Sequence, residues 1–207
     1  MSSLPTDPQQ AQPVTTQATV AAVSGTIYVL FSAEIIPNTA ETLMSVMAQQ
    51  VNNRAECVHL LLSTPGGAVM NGLNLYNFFR GLPYDLITHN VGNVDSIGNA
   101  IFLAGSKRYA CKHSTFMFHG VGFNSLPNER LEQKNLQEKL QGVLADQKRI
   151  GSIIQERTSI PETEIDDLFR EARTKDAAYA LGHGIVHEIR EVIIPPGGPV
   201  ISLVFQR

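Results

Sequence analysis

Apolar residues fall into two kinds of stretch that alternate along the chain: short solid blocks, and segments where they recur every three or four positions. Thr26–Ser32 and Cys57–Ser63 are blocks of β-branched, aromatic and aliphatic residues, as in strands covered on both faces. Between them, Asn38 with Glu41 three positions later suggests a capping box behind Pro37, and Leu43, Met47 and Val51 recur at helical spacing. The turn Thr64-Pro65-Gly66-Gly67 leads into a helix over Val69–Arg80, and Tyr84–Val91 is again strand-like. A small-residue helix is predicted near Ser96–Gly105, then short strands at Arg108–Cys111 and Thr115–His119. Alternation of this kind predicts an α/β fold with a largely parallel sheet and crossover helices.

The second half is dominated by a predicted helix from Asn128 to Arg157, with Leu136, Leu140, Val143, Ile150 and Ile154 forming an intermittent stripe. About 30 residues of helix span roughly 45 Å. Such a helix is expected to project from so small a domain and pack against another subunit. Asp167–Ala172 and Asp176–Leu181 read as helical, Ile185–Ile189 as a strand. Pro195–Pro199 reads as a turn before a closing or edge strand, Val200–Phe205. Residues 1–25, rich in Gln, Thr, Pro and Ala, read as a flexible leader before a domain over 26–207. They lack the basic and apolar regions of a secretory signal.

Composition narrows the function classes. With 43% hydrophobic and 17% charged residues the chain has material for a core, and 207 residues suit one domain. A formal charge of −3 without a basic stripe argues against nucleic acid or an anionic membrane as partner. Cys57 and Cys111 sit in apolar runs and are expected as buried free thiols, in keeping with a cytoplasmic protein. No apolar run reaches the roughly 20 residues of a membrane helix. The six histidines show no metal-ligand spacing and no cofactor motif is found, so neither metal nor cofactor is expected.

Three segments could carry chemistry. Thr64–Gly67 lies between strand and helix, where backbone N–H groups can receive an oxyanion; it can equally be an ordinary turn. Ser96 follows a strand and precedes a helix, as a nucleophile or as a helix cap. Val94 stands where the first glycine of a G-x-S-x-G elbow would be. His119 ends an apolar strand, as a base or as a satisfied rim residue. A serine nucleophile needs both a base and an oxyanion site, so the three gain meaning together.

In this order the segments resemble the ClpP family, the proteolytic subunits of Clp proteases. Leu62–Val69 is similar to that family's N-S-P-G-G segment, Asp95–Ala100 to its A-S-M-G-A segment and Phe116–His119 to its V-M-I-H segment. The likeness runs from about Tyr28 to Ile189, including Ala180–Val186. It implies a ClpP/crotonase-like spiral of β-β-α units and a serine endopeptidase with Ser96 as nucleophile and His119 as general base. The amides of Gly67 and Ile97 would form the oxyanion hole. The implied partners are a peptide or protein substrate, further copies of the chain in a ring or stacked rings, and a Clp-type ATPase, although the leader bears no clear likeness to the family's docking loop.

The family's third catalytic residue, an aspartate, does not carry over. Registration from Thr158 to Gly184 puts Ala172 there, with Glu171 beside it as candidate substitute and Asp167 or Asp176 further off. Asp95 replaces a small residue next to the serine, and the glycine-rich strand after the histidine is only partly matched by Gly120–Ser125. Other readings therefore stand beside a working peptidase: a catalytically impaired structural or regulatory subunit, a crotonase-fold acyl-CoA enzyme, and a Ser–Lys dyad using Lys134 or Lys139.

Overall fold

The computed structural model describes residues 25–124, 130 and 132–205. The leader assigned to residues 1–25 lies almost wholly outside them. Among the described residues eight strands and six helices follow in the order β1 (Thr26–Ser32), α1 (Pro37–Asn52), β2 (Cys57–Thr64), α2 (Val69–Arg80), β3 (Asp85–Asp95) and α3 (Gly98–Leu103). Then come β4 (Lys107–Ala110), β5 (Thr115–Met117), α4 (Gln133–Arg157), α5 (Glu162–Glu171), β6 (Thr174–Asp176), α6 (Ala177–Gly182), β7 (Glu188–Ile189) and β8 (Val200–Leu203). The fold is mixed α/β and every strand pairing is parallel except β5 with β6.

The sheet branches at β3, whose first half (Ile87–Asn90) pairs with β4 and whose second half (Asn93–Asp95) pairs with β5. Two asparagines hold the branch. Asn90 is fully buried; its Nδ2 donates to Thr115 O at 2.8 Å while its Oδ1 accepts the Gly92 N–H at 3.1 Å. Asn93 accepts from Ser63 Oγ at 3.0 Å and donates to Thr64 O at 3.1 Å, joining β2 to the outer half of β3. These bonds satisfy polar groups that the split ladder would otherwise leave unpaired. The branch directs the C-terminal ends of β2, β3 and β5 toward one place.

One face of the sheet, with Val29, Phe31, Leu60, Leu62 and Leu86, joins the core formed with the helices. On the other face Tyr28, His59 and His89 stack across β1 to β3, with centroids 4.7 and 5.1 Å apart, and Tyr109 of β4 lies tilted against His89 at 5.2 Å. On β4, the buried Arg108 guanidinium donates to the carbonyls of Ile185 (2.7 Å), Gly184 (3.0 Å) and Arg157 (3.0 Å). Burial, then the neighbouring Arg157, lowers its pKa to about 10, still cationic at neutral pH.

Several sequence expectations are corrected. The cap of α1 is Ile36, whose N–H donates to Thr39 Oγ1 at 3.0 Å, not a box of Asn38 and Glu41. The buried stripe turns from Met47 to Gln50 and leaves Val51 39% exposed, because the Gln50 amide is satisfied internally by Val46 O at 2.8 Å. Cys57 and Cys111 are free but half-buried, and desolvation raises both thiol pKa values. The long helix begins at Gln133, behind the extended Glu132, rather than at Asn128, itself outside the described residues; its 25 residues span about 37 Å. Its last turns are anchored by Ile150, Ile153 and Ile154, while Leu136, Leu140 and Leu144 are 45–55% exposed.

Candidate active site

The end of β2 is shaped by two glycines that the site cannot replace. Gly66 (φ 87°) and Gly67 (φ 142°) occupy backbone conformations that side chains disfavour. A Cβ on Gly66 would stand 2.6 Å from Ser96 Cβ, and one on Gly67 2.3 Å from Ile35 O. The Ile35 N–H donates to Gly66 O at 2.7 Å and the Ala68 N–H to Ile35 O at 2.7 Å. The Gly67 N–H, between those two bonds, is left outside this ladder.

Ser96 has φ 56° and sits in a tight turn between β3 and α3. It is not the N-terminal cap: α3 begins at Gly98, with Ile97 before it and no side-chain cap bond. The missing glycine at 94 is accommodated because Val94 is fully buried, and the close approach falls instead on Gly98, where a Cβ would lie 2.5 Å from Thr64 Cγ2. The chain thus turns sharply between β3 and α3 without the first glycine of a G-x-S-x-G segment. A left-handed serine costs roughly 1–2 kcal/mol. A bond from the Ser96 N–H to Met117 O at 2.8 Å helps to hold it.

Met117 ends β5, and His119 follows two residues later, outside the strand expected to include it. Its segment is pinned on both sides: the Phe118 N–H donates to Arg173 O at 3.4 Å and the Gly120 N–H to Phe169 O at 2.8 Å. His119 Nδ1 lies 2.7 Å from Gly120 O. A carbonyl only accepts, so Nδ1 is the donor, which in a neutral imidazole leaves the lone pair on Nε2. Nothing in the sequence pattern pointed to this carbonyl as the partner.

Ser96, His119, Gly67 and Ile97 line one open cavity of about 240 Å³. Val69, Phe118, Val121, Ile150 and Phe169 give it apolar walls. The structure does not bring Glu171 into this group: its exposed carboxylate pairs with Arg173 at 2.8 Å. Asp167 pairs with Arg170, Asp176 caps α6 by accepting the Tyr179 N–H at 2.8 Å, and Asp95 accepts from Asn93 Nδ2 at 2.6 Å. Ala172 ends α5 with φ 51°, between Phe169 and Arg173, whose carbonyls hold the histidine segment. Among the described residues no carboxylate lines the cavity. Lys134 pairs with Glu138, and Lys139 lies 4.9 Å from the centre of the Phe123 ring; neither is in the lining. Residues 120–124 form no strand, and Ser125 lies outside the described residues.

The profile of the Clp protease family matches residues 12–192. The chain is 25% identical over 167 residues to an ATP-dependent Clp protease proteolytic subunit 1 from Leifsonia xyli, covering 78% of this chain and 82% of that one. It is 33% identical over 87 residues to an ATP-dependent Clp protease proteolytic subunit from Bdellovibrio bacteriovorus, 39% of this chain and 41% of that one. The solved structure of a ClpP1 point mutant from Listeria monocytogenes superposes with a TM-score of 0.70 at 21% identity, covering 80% of this chain and 91% of that one. Sequence profile, relatives and fold agree, and the chain belongs to the Clp protease family, a family of serine proteases.

Proposed function

We propose that the chain is a working serine endopeptidase that cleaves peptides through an acyl-enzyme on Ser96. One observation carries the reading: a strained Ser96 shares a single cavity with His119, Gly67 and Ile97. His119 Nε2 removes the Oγ proton as Oγ attacks the scissile carbonyl carbon, and the carbonyl oxygen, now anionic, is received by the Gly67 and Ile97 N–H groups. Collapse breaks the C–N bond, the proton passes from Nε2 to the leaving amine, and an ester to Ser96 remains. Water then repeats the sequence and releases the acid. The apolar walls favour an apolar side chain on the acyl side of the scissile bond.

Gly120 O stands where an aspartate would accept the Nδ1 proton. It fixes tautomer and ring orientation, but a neutral carbonyl stabilises the imidazolium less than a carboxylate does, so turnover is slow. Ala172, with Glu171 paired to Arg173, favours the second reading, an impaired subunit that keeps the fold for assembly. In both readings the half-exposed Leu136, Leu140 and Leu144 on α4 are covered by further copies of the chain in a ring or stacked rings. Protein substrates delivered by a Clp-type ATPase, in the cytoplasm and without a cofactor, complete the proposal. Hydrolysis of a short fluorogenic peptide with an apolar residue before the cleaved bond tests it. The wild type turns over slowly and Ser96→Ala not at all; equal turnover by both would overturn it.

A further inference from the structure

One buried side chain beside the proposed site takes no part in the chemistry as described. Asn99, the second residue of α3, is 1% exposed. Its Nδ2 donates to Ser96 O at 3.0 Å and to Met117 O at 2.8 Å; both partners are acceptors, which fixes the orientation of the amide. The Asn99 N–H also donates to Ser96 O, at 3.1 Å, and the Ser96 N–H donates to Met117 O at 2.8 Å. Each carbonyl therefore accepts twice, and the bonds close a ring between the left-handed Ser96 and the last residue of β5. His119 is two residues beyond that point.

The other end of the same amide has no partner: among the described residues Asn99 Oδ1 is buried without a donor. An unpaired buried acceptor costs about 1–3 kcal/mol, so a side chain that only filled the space would be better apolar. What Asn99 supplies is two donors at one point, joining the turn that carries the serine to the strand that carries the histidine.

We infer that Asn99 is a positioning residue, whose amide locks the Ser96 turn onto the end of β5 and so sets the alignment of Ser96 Oγ with His119. The inference rests on the reading of Ser96 and His119 as a reacting pair. It also goes beyond that reading, since Asn99 touches neither substrate nor reacting atom. Asn99→Ala removes both donors. Asn99→Asp keeps the shape but turns an oxygen toward two carbonyls; only its protonated form can donate to one of them.

The test is phosphonylation of the full chain by a fluorophosphonate, with kcat and KM for the fluorogenic peptide, on preparations shown to be folded by circular dichroism and thermal melting. A misplaced nucleophile should lower kcat and the phosphonylation rate of Asn99→Ala about 10–100-fold with KM changed less than about threefold. For Asn99→Asp the rate relative to wild type should climb as pH falls from 8 to 6, as burial raises the pKa of the new carboxyl and its protonated form becomes populated. Wild-type kcat in folded Asn99→Ala, or an Asn99→Asp ratio independent of pH, would overturn the inference while leaving the peptidase reading intact. Unfolding of both variants would assign Asn99 to the fold alone and overturn it as well. Failure of the wild type to label at Ser96 would overturn the peptidase reading, and this inference with it.

Discussion

The proton on His119 Nδ1 meets a peptide carbonyl, and that single substitution of partner governs the chemistry expected of this chain. In serine peptidases, loss of the orienting acid costs about 10⁴ in turnover. Part of that cost is the wrong tautomer, which Gly120 O prevents here, and part is the unstabilised imidazolium, which it does not. Ala172 already has a left-handed backbone, a conformation that aspartate accepts more readily than alanine. Ala172→Asp should therefore raise kcat on the fluorogenic peptide at least about tenfold, while Glu171→Ala, losing only a surface pair with Arg173, leaves it within about twofold. A drop in kcat for Glu171→Ala would show that the glutamate reaches the histidine in solution. Ser96, His119, Gly67 and Ile97 were singled out through the ordered segments that resemble the ClpP family, and the fold brings the four to one cavity. Gly120 O was not, since every residue has a carbonyl and only the turn after β5 aims this one. Asn99 had a faint signal, an asparagine where the resembled segment has alanine.

The stacked His59 and His89 make the fold sensitive to acid. His59 Nδ1 and His89 Nε2 lie 2.8 Å apart, a bond that needs one proton between them. Burial lowers both pKa values, that of His89 to about 4 with further contributions from His59 and Arg190; for His59 the second cause is Arg190. The unfolded chain, with histidines near 6.5, binds more protons than the fold below that pH. The His89 contribution is thus fully present above about pH 6.5 and is lost as pH falls toward 4, an effect of about 1–3 kcal/mol. Melting temperature measured from pH 7.5 to 4 should fall steeply below pH 6.5 in the wild type and less steeply in His89→Phe. Parallel curves would show that the pair does not titrate in this range.

Among the elements, α4 carries the clearest consequence for assembly. Its C-terminal turns are fixed by Ile150, Ile153 and Ile154, and the half that projects shows leucines at 136, 140 and 144, one face at four-residue spacing. If copies of the chain cover that face, Leu140→Lys should shift sedimentation velocity toward smaller species without loss of helical signal; an unchanged distribution would assign the stripe to solvent. Element order was readable from the alternation of apolar blocks and helical spacing, because buried parallel strands leave that trace. Two elements escaped it. β6 is three polar residues whose pairing with β5 owes nothing to apolar patterning. The outer half of β3 contains Gly92, Asn93 and Asp95, which look like a loop but are bonded to β2 and β5.

At the scale of the molecule, the branch of the sheet is the feature that builds the site. Because β3 leaves β4 for β5 beyond Asn90, the ends of β2, β3 and β5 converge, bringing Gly67, Ser96 and His119 to one cavity from positions up to 52 residues apart. No local pattern announces a branch, since it depends on the asparagine bonds between strands. On the proposed reading, this convergence makes Ser96 a nucleophile activated by His119. Intact-mass analysis and peptide mapping after treatment with a fluorophosphonate test it most directly. One adduct per chain is expected, on Ser96, absent from Ser96→Ala and formed at least about 100-fold more slowly in His119→Ala. No adduct on the folded wild type, or one formed as fast without His119, would contradict it.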